Sequence, residues 1–184
     1  GQYKDALPFF GKVTKLAPSL RDGHEKIGVV YISCGRFDLA IPFFDKVIAL
    51  DPNYAMGYHQ KGICLQVTGN KEEALVCFDK SISLNPTDPL SYSIKGVLFN
   101  ELGRYQEALE CAEKVNSMNP DFPHGYGTKG EALRGLGKLE ESLEWFDKSM
   151  KLDPHPMNPA RKNKMKALDE LGRDEQGKKK RNRK

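Results

Sequence analysis

The sequence predicts an all-α fold, an α-solenoid of antiparallel helix pairs, on three observations. Pro18, Pro52, Pro86, Pro120 and Pro154 stand 34 residues apart along a chain of 184. Gly1, Gly35, Gly69, Gly103 and Gly137 keep the same step. Between these marks run segments such as Ala40, Ile41, Phe44, Val47 and Ile48, spaced as the apolar face of an amphipathic helix. A period of roughly 20–50 residues indicates a stack of identical units, each touching only its neighbours. Such a stack presents an extended face and not a closed catalytic pocket.

Each full unit reads as a helix A, a short turn and a helix B, with units at 21–54, 55–88, 89–122 and 123–156. Gly35, Gly69, Gly103 and Gly137 fall where helix A must end, a place that favours a residue with positive φ. Gly28, Gly62, Gly96 and Gly130 lie inside helix A and cost up to about 1 kcal/mol each against Ala. That cost is tolerable if the missing side chain lets helix B approach, and Ala40, Ala74 and Ala108 offer the same from the other side. The closures at 50–52, 84–86 and 118–120 (LDP, LNP and MNP) stop helix B, because proline restrains the residue before it and lacks a donor.

Residues 1–20 fit a helix B alone, with Tyr3, Ala6, Phe10 and Val13 in phase. Its uncovered apolar side predicts self-association or a further repeat before it. Gly1 falls in the middle of a repeat, which predicts a chain cut from a longer polypeptide. Residues 157–171 form a cap helix, with Met165, Leu168 and Leu171 on one face and Arg161, Lys162, Lys164 and Lys166 on the other. Residues 172–184 have no apolar periodicity and predict a basic disordered tail.

Repeat by repeat, the residues are His24, Ile27-Gly28, Tyr31, Ala40, Phe44 and Pro52, then Tyr58, Lys61-Gly62, Leu65, Ala74, Phe78 and Pro86. The third and fourth give Tyr92, Lys95-Gly96, Phe99, Ala108, Ala112 and Pro120, then Tyr126, Lys129-Gly130, Leu133, Ser142, Phe146 and Pro154. This pattern resembles the tetratricopeptide repeat, whose step is 34 residues. The resemblance covers about 155 residues without an insertion and implies a right-handed superhelix with a concave groove. Ala112 departs from the family's aromatic and predicts a thinner core in the third repeat, filled by Phe99. Lys61, Lys95 and Lys129 replace a leucine, with stems buried and ammonium groups in water.

The net charge of +4 is uneven. Residues 156–184 hold eleven Lys or Arg against four Asp or Glu, which leaves the array at −3. Cys34, Cys64, Cys77 and Cys111 have neither disulfide nor metal-ligand spacing and read as small apolar residues of a reducing, cytoplasmic compartment. No nucleophile elbow, phosphate loop, dinucleotide fingerprint or zinc spacing occurs, so the expectation is no enzyme, no cofactor and no metal. No apolar run reaches the roughly 18 residues of a membrane span.

The family's concave surface is lined mainly by helix A. On the matching positions stand Val29 and Ile32; Met56, His59, Gln60, Ile63 and Val67; and Leu90, Ile94, Val97 and Asn100. These residues are the expected groove, with Val29, Ile63 and Val97 also open to reading as packing between A helices. The fourth repeat gives His124, Gly127, Thr128, Glu131, Arg134 and Gly135, where the aliphatic stripe ends. The carboxylate clamp of the co-chaperone members is missing, since Glu25, Val29, Gln60, Leu90 and Ile94 stand there.

The implied function is a protein-interaction scaffold holding a peptide or amphipathic helix in the groove. Two alternatives compete with it. One is a targeting domain of a larger protein. The other is a module whose basic end contacts nucleic acid or an anionic membrane, although no aromatic is interleaved there for base stacking.

Overall fold

The computed structural model describes residues 8, 11–12 and 15–181, and among these it has nine helices and no strand. They are α1 (Arg21–Ser33), α2 (Phe37–Leu50), α3 (Ala55–Val67), α4 (Lys71–Leu84) and α5 (Pro89–Glu101). Then come α6 (Tyr105–Met118), α7 (Pro123–Gly135), α8 (Leu139–Leu152) and α9 (Pro159–Arg181). Two compact units divide the chain between Ser91 and Tyr92, near the start of α5. In the first, α1 packs on α2, α2 on α3, and α3 on α4. In the second, α6 packs on α7, α7 on α8, and α9 on α8 and α7. Tyr3, Ala6, Phe10 and Val13 of the N-terminal half repeat, and with them the self-association face, lie outside the described residues.

The glycine punctuation has a direct backbone cause. Gly35, Gly69, Gly103 and Gly137 take φ of +71°, +92°, +73° and +77°, the left-handed region open to glycine at little cost. Each turn lets the next amide reach back over the helix end. Arg36 N donates to Tyr31 O at 2.8 Å, and Asn70, Arg104 and Lys138 repeat the bond to Leu65, Phe99 and Leu133 at 2.8–2.9 Å. This is a Schellman closure, which satisfies carbonyls that the helix end leaves orphaned.

Within a pair, one aromatic ring decides how closely the helices meet. A Cβ on Gly28 would lie 2.7 Å from the Phe44 ring. On Gly62 it would lie 2.9 Å from Phe78, and on Gly130 2.7 Å from Phe146. All three rings are fully buried. The interior glycines are therefore seats for rings, and the sequence-level expectation of close approach becomes a specific ring-on-backbone contact. The third pair differs because Ala112 supplies no ring. A Cβ on Gly96 would lie 3.0 Å from Thr128 Cγ2 and 3.1 Å from Cys111 Cβ, so these two side chains close on that glycine, and Phe99 is buried. An open hollow of about 310 Å³ remains beside this pair, lined in part by Tyr92, Phe99 and Cys111.

The lysines in place of leucine reach back to the preceding helix B. Lys61 Nζ meets Asp45 at 2.6 Å and Lys129 Nζ meets Glu113 at 3.0 Å, with Lys129 also 4.2 Å above the Trp145 ring. Lys164 repeats the contact with Asp147 at 2.5 Å. Asp45, Glu113 and Asp147 hold the same repeat position, so each bond ties a helix B to the helix that follows it within one compact unit. Burial pushes the Lys61 ammonium down, but its bond to Asp45 and the nearby negative charges of Asp45 and Glu73 together raise its pKa above the ordinary value.

Two expectations for the C-terminal end need correction. Helix α9 turns Ala160 and Ala167 inward against Phe146, while Met165 is 68% exposed and Leu168 46%. Alanines at a spacing of seven let the helix sit close on α8, and larger side chains on that face would hold it away. The helix also runs on to Arg181, past Leu171, where the sequence predicts disorder. Apart from the two glycines, residues 172–181 are mostly Arg, Glu, Gln and Lys, good helix formers with no proline among them. Helical backbone there needs no apolar face.

The ring seats give a prediction of opposite signs within one helix. Gly130→Ala drives a methyl into the Phe146 ring and should lower stability by about 1–3 kcal/mol. Gly127→Ala, three residues earlier, meets only Ser149 Oγ at 3.4 Å and should raise stability by up to about 1 kcal/mol through helix propensity. Urea melts of the two variants check this, and equal effects would contradict it.

Candidate binding site on the A helices

In the second unit, α5, α7 and α9 enclose a cavity of about 290 Å³. Helix α5 contributes Val97, Asn100 and Glu101, and α7 contributes Pro123, His124, Gly127, Thr128 and Glu131. Ser149 and Asp153 close it at the end of α8, and Asn158, Pro159, Ala160 and Asn163 close it from the start of α9. The helix-A spacing explains the first two groups. Residues 97, 100 and 101 and residues 124, 127, 128 and 131 recur three or four apart and so share one helix face.

Local bonding fixes these walls. Asn100 Nδ2 donates to Thr128 O at 3.0 Å and ties α5 to α7, while Asn100 Oδ1 is buried without a partner. Asn158 Nδ2 donates to Asp153 O at 2.8 Å and to Ser149 O at 3.3 Å, and its Oδ1 accepts Ala160 N at 3.0 Å. One carboxamide thus joins the end of α8 to the start of α9. Glu131 receives Arg134 Nη2 at 2.6 Å, and the same guanidinium reaches Glu170 at 2.6 Å. The bond to Glu131 holds the Arg134 pKa above its usual value despite partial burial.

Of the sequence-predicted groove residues, Val97 and Asn100 line this cavity, and Ile94 is half-buried on the same helix. In the first unit Val29, Met56, Val67 and Leu90 are exposed, and Gln60 and Ile63 are half-buried. Ile32 packs against the cluster of Ala40, Phe44 and Cys64. His59 is not on an open face. It is 6% exposed, with Nδ1 2.7 Å from Ser91 Oγ and its ring edge-on to Phe78. A helix-A position is no guarantee of exposure, because the neighbouring repeat covers some of them.

The sequence reading weights repeats one to three, and the cavity adds Ser149, Asn158 and Ala160 to the concave-surface positions it named. Gly127, named there on the fourth repeat, is a glycine where the equivalent positions hold Ser93 and His59. The α8 and α9 residues carry no pattern that marks them.

Burial also governs the titrating groups. It pushes the Cys64 thiol up to about 11, away from thiolate chemistry at neutral pH. It lowers the His59 pKa, and Asp88 at 3.9 Å only partly offsets this. The unfolded chain therefore takes up the His59 proton as pH falls below about 6.5, before the folded chain does. Stability present above that pH should decline as pH falls toward the lower folded pKa. His59→Gln should flatten the slope of stability against pH in this window. Denaturant melts from about pH 7 to 5 measure it, and an unchanged slope would show that His59 does not contribute.

Sequence profiles described as tetratricopeptide repeat match residues 23–54, 55–88, 77–110 and 95–155. No curated protein matches the sequence. Among solved structures, a MamA protein superposes with a TM-score of 0.77 at 27% identity, over 84% of this chain and 84% of that one. PilW, a type IV pilus biogenesis factor, gives 0.81 at 19% identity, over 92% and 79%. YrrB, described as a TPR protein with an unusual peptide-binding site, gives 0.75 at 21% identity, over 89% and 84%. The chain belongs to the tetratricopeptide repeat family and folds as an all-α solenoid of its helix pairs.

Proposed function

We propose that this member of the tetratricopeptide repeat family is a non-catalytic protein-interaction scaffold that takes a peptide or an amphipathic helix on its helix-A face. The observation that carries the reading is the cavity among α5, α7 and α9, walled by helix-A positions that correspond to the family's concave groove. Exposed aliphatic side chains on other A helices, Val67 and Leu90 among them, support a ligand with an apolar face. The peptide-binding site in the description of YrrB supports the same class of ligand. Acceptors and apolar walls are groups that hold a side chain in place, and such contacts confer specificity without bond-making.

Selection of displayed peptides on the immobilised chain, followed by titration of the recovered sequences, tests the reading. Val97→Asp should weaken the selected peptides by at least roughly tenfold, about 1.4 kcal/mol. Val67→Asp should do the same for any peptide that uses the first unit. Because both side chains are exposed, melting temperatures should stay within a few degrees, or roughly ±0.5 kcal/mol. Peptides that bind both variants normally would remove the helix-A face as the binding surface.

A further inference from the structure

We infer that the cavity among α5, α7 and α9 is a subsite for one cationic side chain, a lysine or arginine of the bound peptide. The inference rests on the peptide-binding reading above and adds the chemistry of one residue of the ligand. At about 290 Å³ the cavity is at the lower limit for small-molecule sites, which suits a single long side chain and not a helix.

The walls and the floor differ in character. Val97, Pro123 and Ala160 present apolar surface against which a methylene stem can lie. The charged groups of the lining, Glu101, Glu131 and Asp153, are all acidic and accept hydrogen bonds when ionised. Ser149 is 2% exposed and lines the cavity. Its Oγ lies 3.4 Å from where a Cβ on Gly127 would stand, so it opens on the floor of the cavity beside a residue without a side chain. Asn100 Oδ1 is buried without a hydrogen-bond partner among the described residues. Asp153 accepts the His155 amide through Oδ1 at 3.1 Å and has no cation against it among the described residues. Glu131 shares its one guanidinium, Arg134, with Glu170, which leaves that trio with a net negative charge.

No lysine or arginine is among the lining residues. A lysine or arginine head brings donors and no acceptor, and so matches the vacant acceptors and the sign of the local field. An acidic side chain would face like charge. The open floor also depends on Gly127, where an added Cβ would meet only Ser149 Oγ, at 3.4 Å.

The probes are Nα-acetyl-arginine amide, Nα-acetyl-lysine amide and Nα-acetyl-citrulline amide, the last a neutral isostere of arginine. Each is titrated into the full chain and followed by amide and carboxamide NMR shifts. The two cations should move Gly127, Thr128 and the Asn100 carboxamide, and citrulline should bind at least roughly tenfold more weakly. Asp153→Asn and Gly127→Leu should each cost the cations a similar factor with helicity unchanged. If Gly127→Leu fails to fold, Asp153→Asn alone decides. Equal binding of citrulline and arginine, or shifts indifferent to Asp153→Asn, would overturn the cationic subsite. Cavity shifts that appear with the cations while no displayed peptide is recovered would support the subsite and sink the wider peptide reading. Recovered peptides without a basic residue, binding normally to Asp153→Asn, would do the reverse.

Discussion

A phenylalanine ring seated on a glycine backbone is the contact on which this array depends. Phe44 on Gly28, Phe78 on Gly62 and Phe146 on Gly130 set the distance between the two helices of a pair. Each ring is wholly removed from water, and glycine lets it bury its edge against backbone. The helical penalty of the glycine is offset by that burial. Once the spacing within a pair is fixed, the left-handed turn at Gly35 or Gly69 returns helix B antiparallel, and the proline two residues past helix B starts the next unit.

Everything around the ring adapts to it. Ala40 and Ala74, on the same helices as Phe44 and Phe78, are fully buried where the helices come together. Lysine is tolerated just before the ring seat because its stem can lie on the packed surface while its ammonium bonds an acid one helix back. In the third pair, without a ring, Thr128 and Cys111 close in on Gly96. The cavity among α5, α7 and α9 is then a local relaxation of the same packing. Gly127 meets no ring, and Ser149 is too small to occupy the space in front of it.

Much of this is readable before any coordinates. The positions of Gly35 and Pro52 carry the helix boundaries, because positive φ and a missing donor are properties of single residues. The ring seats are half readable: Gly28 and Phe44 are visible as a pair of positions, but which atoms meet is a matter of three dimensions. The inward face of α9 was hidden. A search for apolar periodicity selects Met165 and Leu168, while close packing on α8 selected Ala160 and Ala167. The burial of His59 was hidden too, because its cover comes from Phe78 and Ser91 on other helices. For the cavity, Val97 and Asn100 follow from the helix-A register. Ser149, Asn158 and Ala160 do not, since they enter through the ends of helices that follow different rules.

Amide hydrogen exchange, resolved helix by helix, tests the role of the ring seat most directly. Local opening free energies rise with buried apolar contact, so protection reports how tightly each pair is held. The pairs α3–α4 and α7–α8, each with a ring on its glycine, should be the most protected. The pair α5–α6, with Ala112 in place of the ring, should open more easily than either. Protection of α5–α6 equal to or above that of the ring-bearing pairs would contradict the account and place the stability of the array elsewhere.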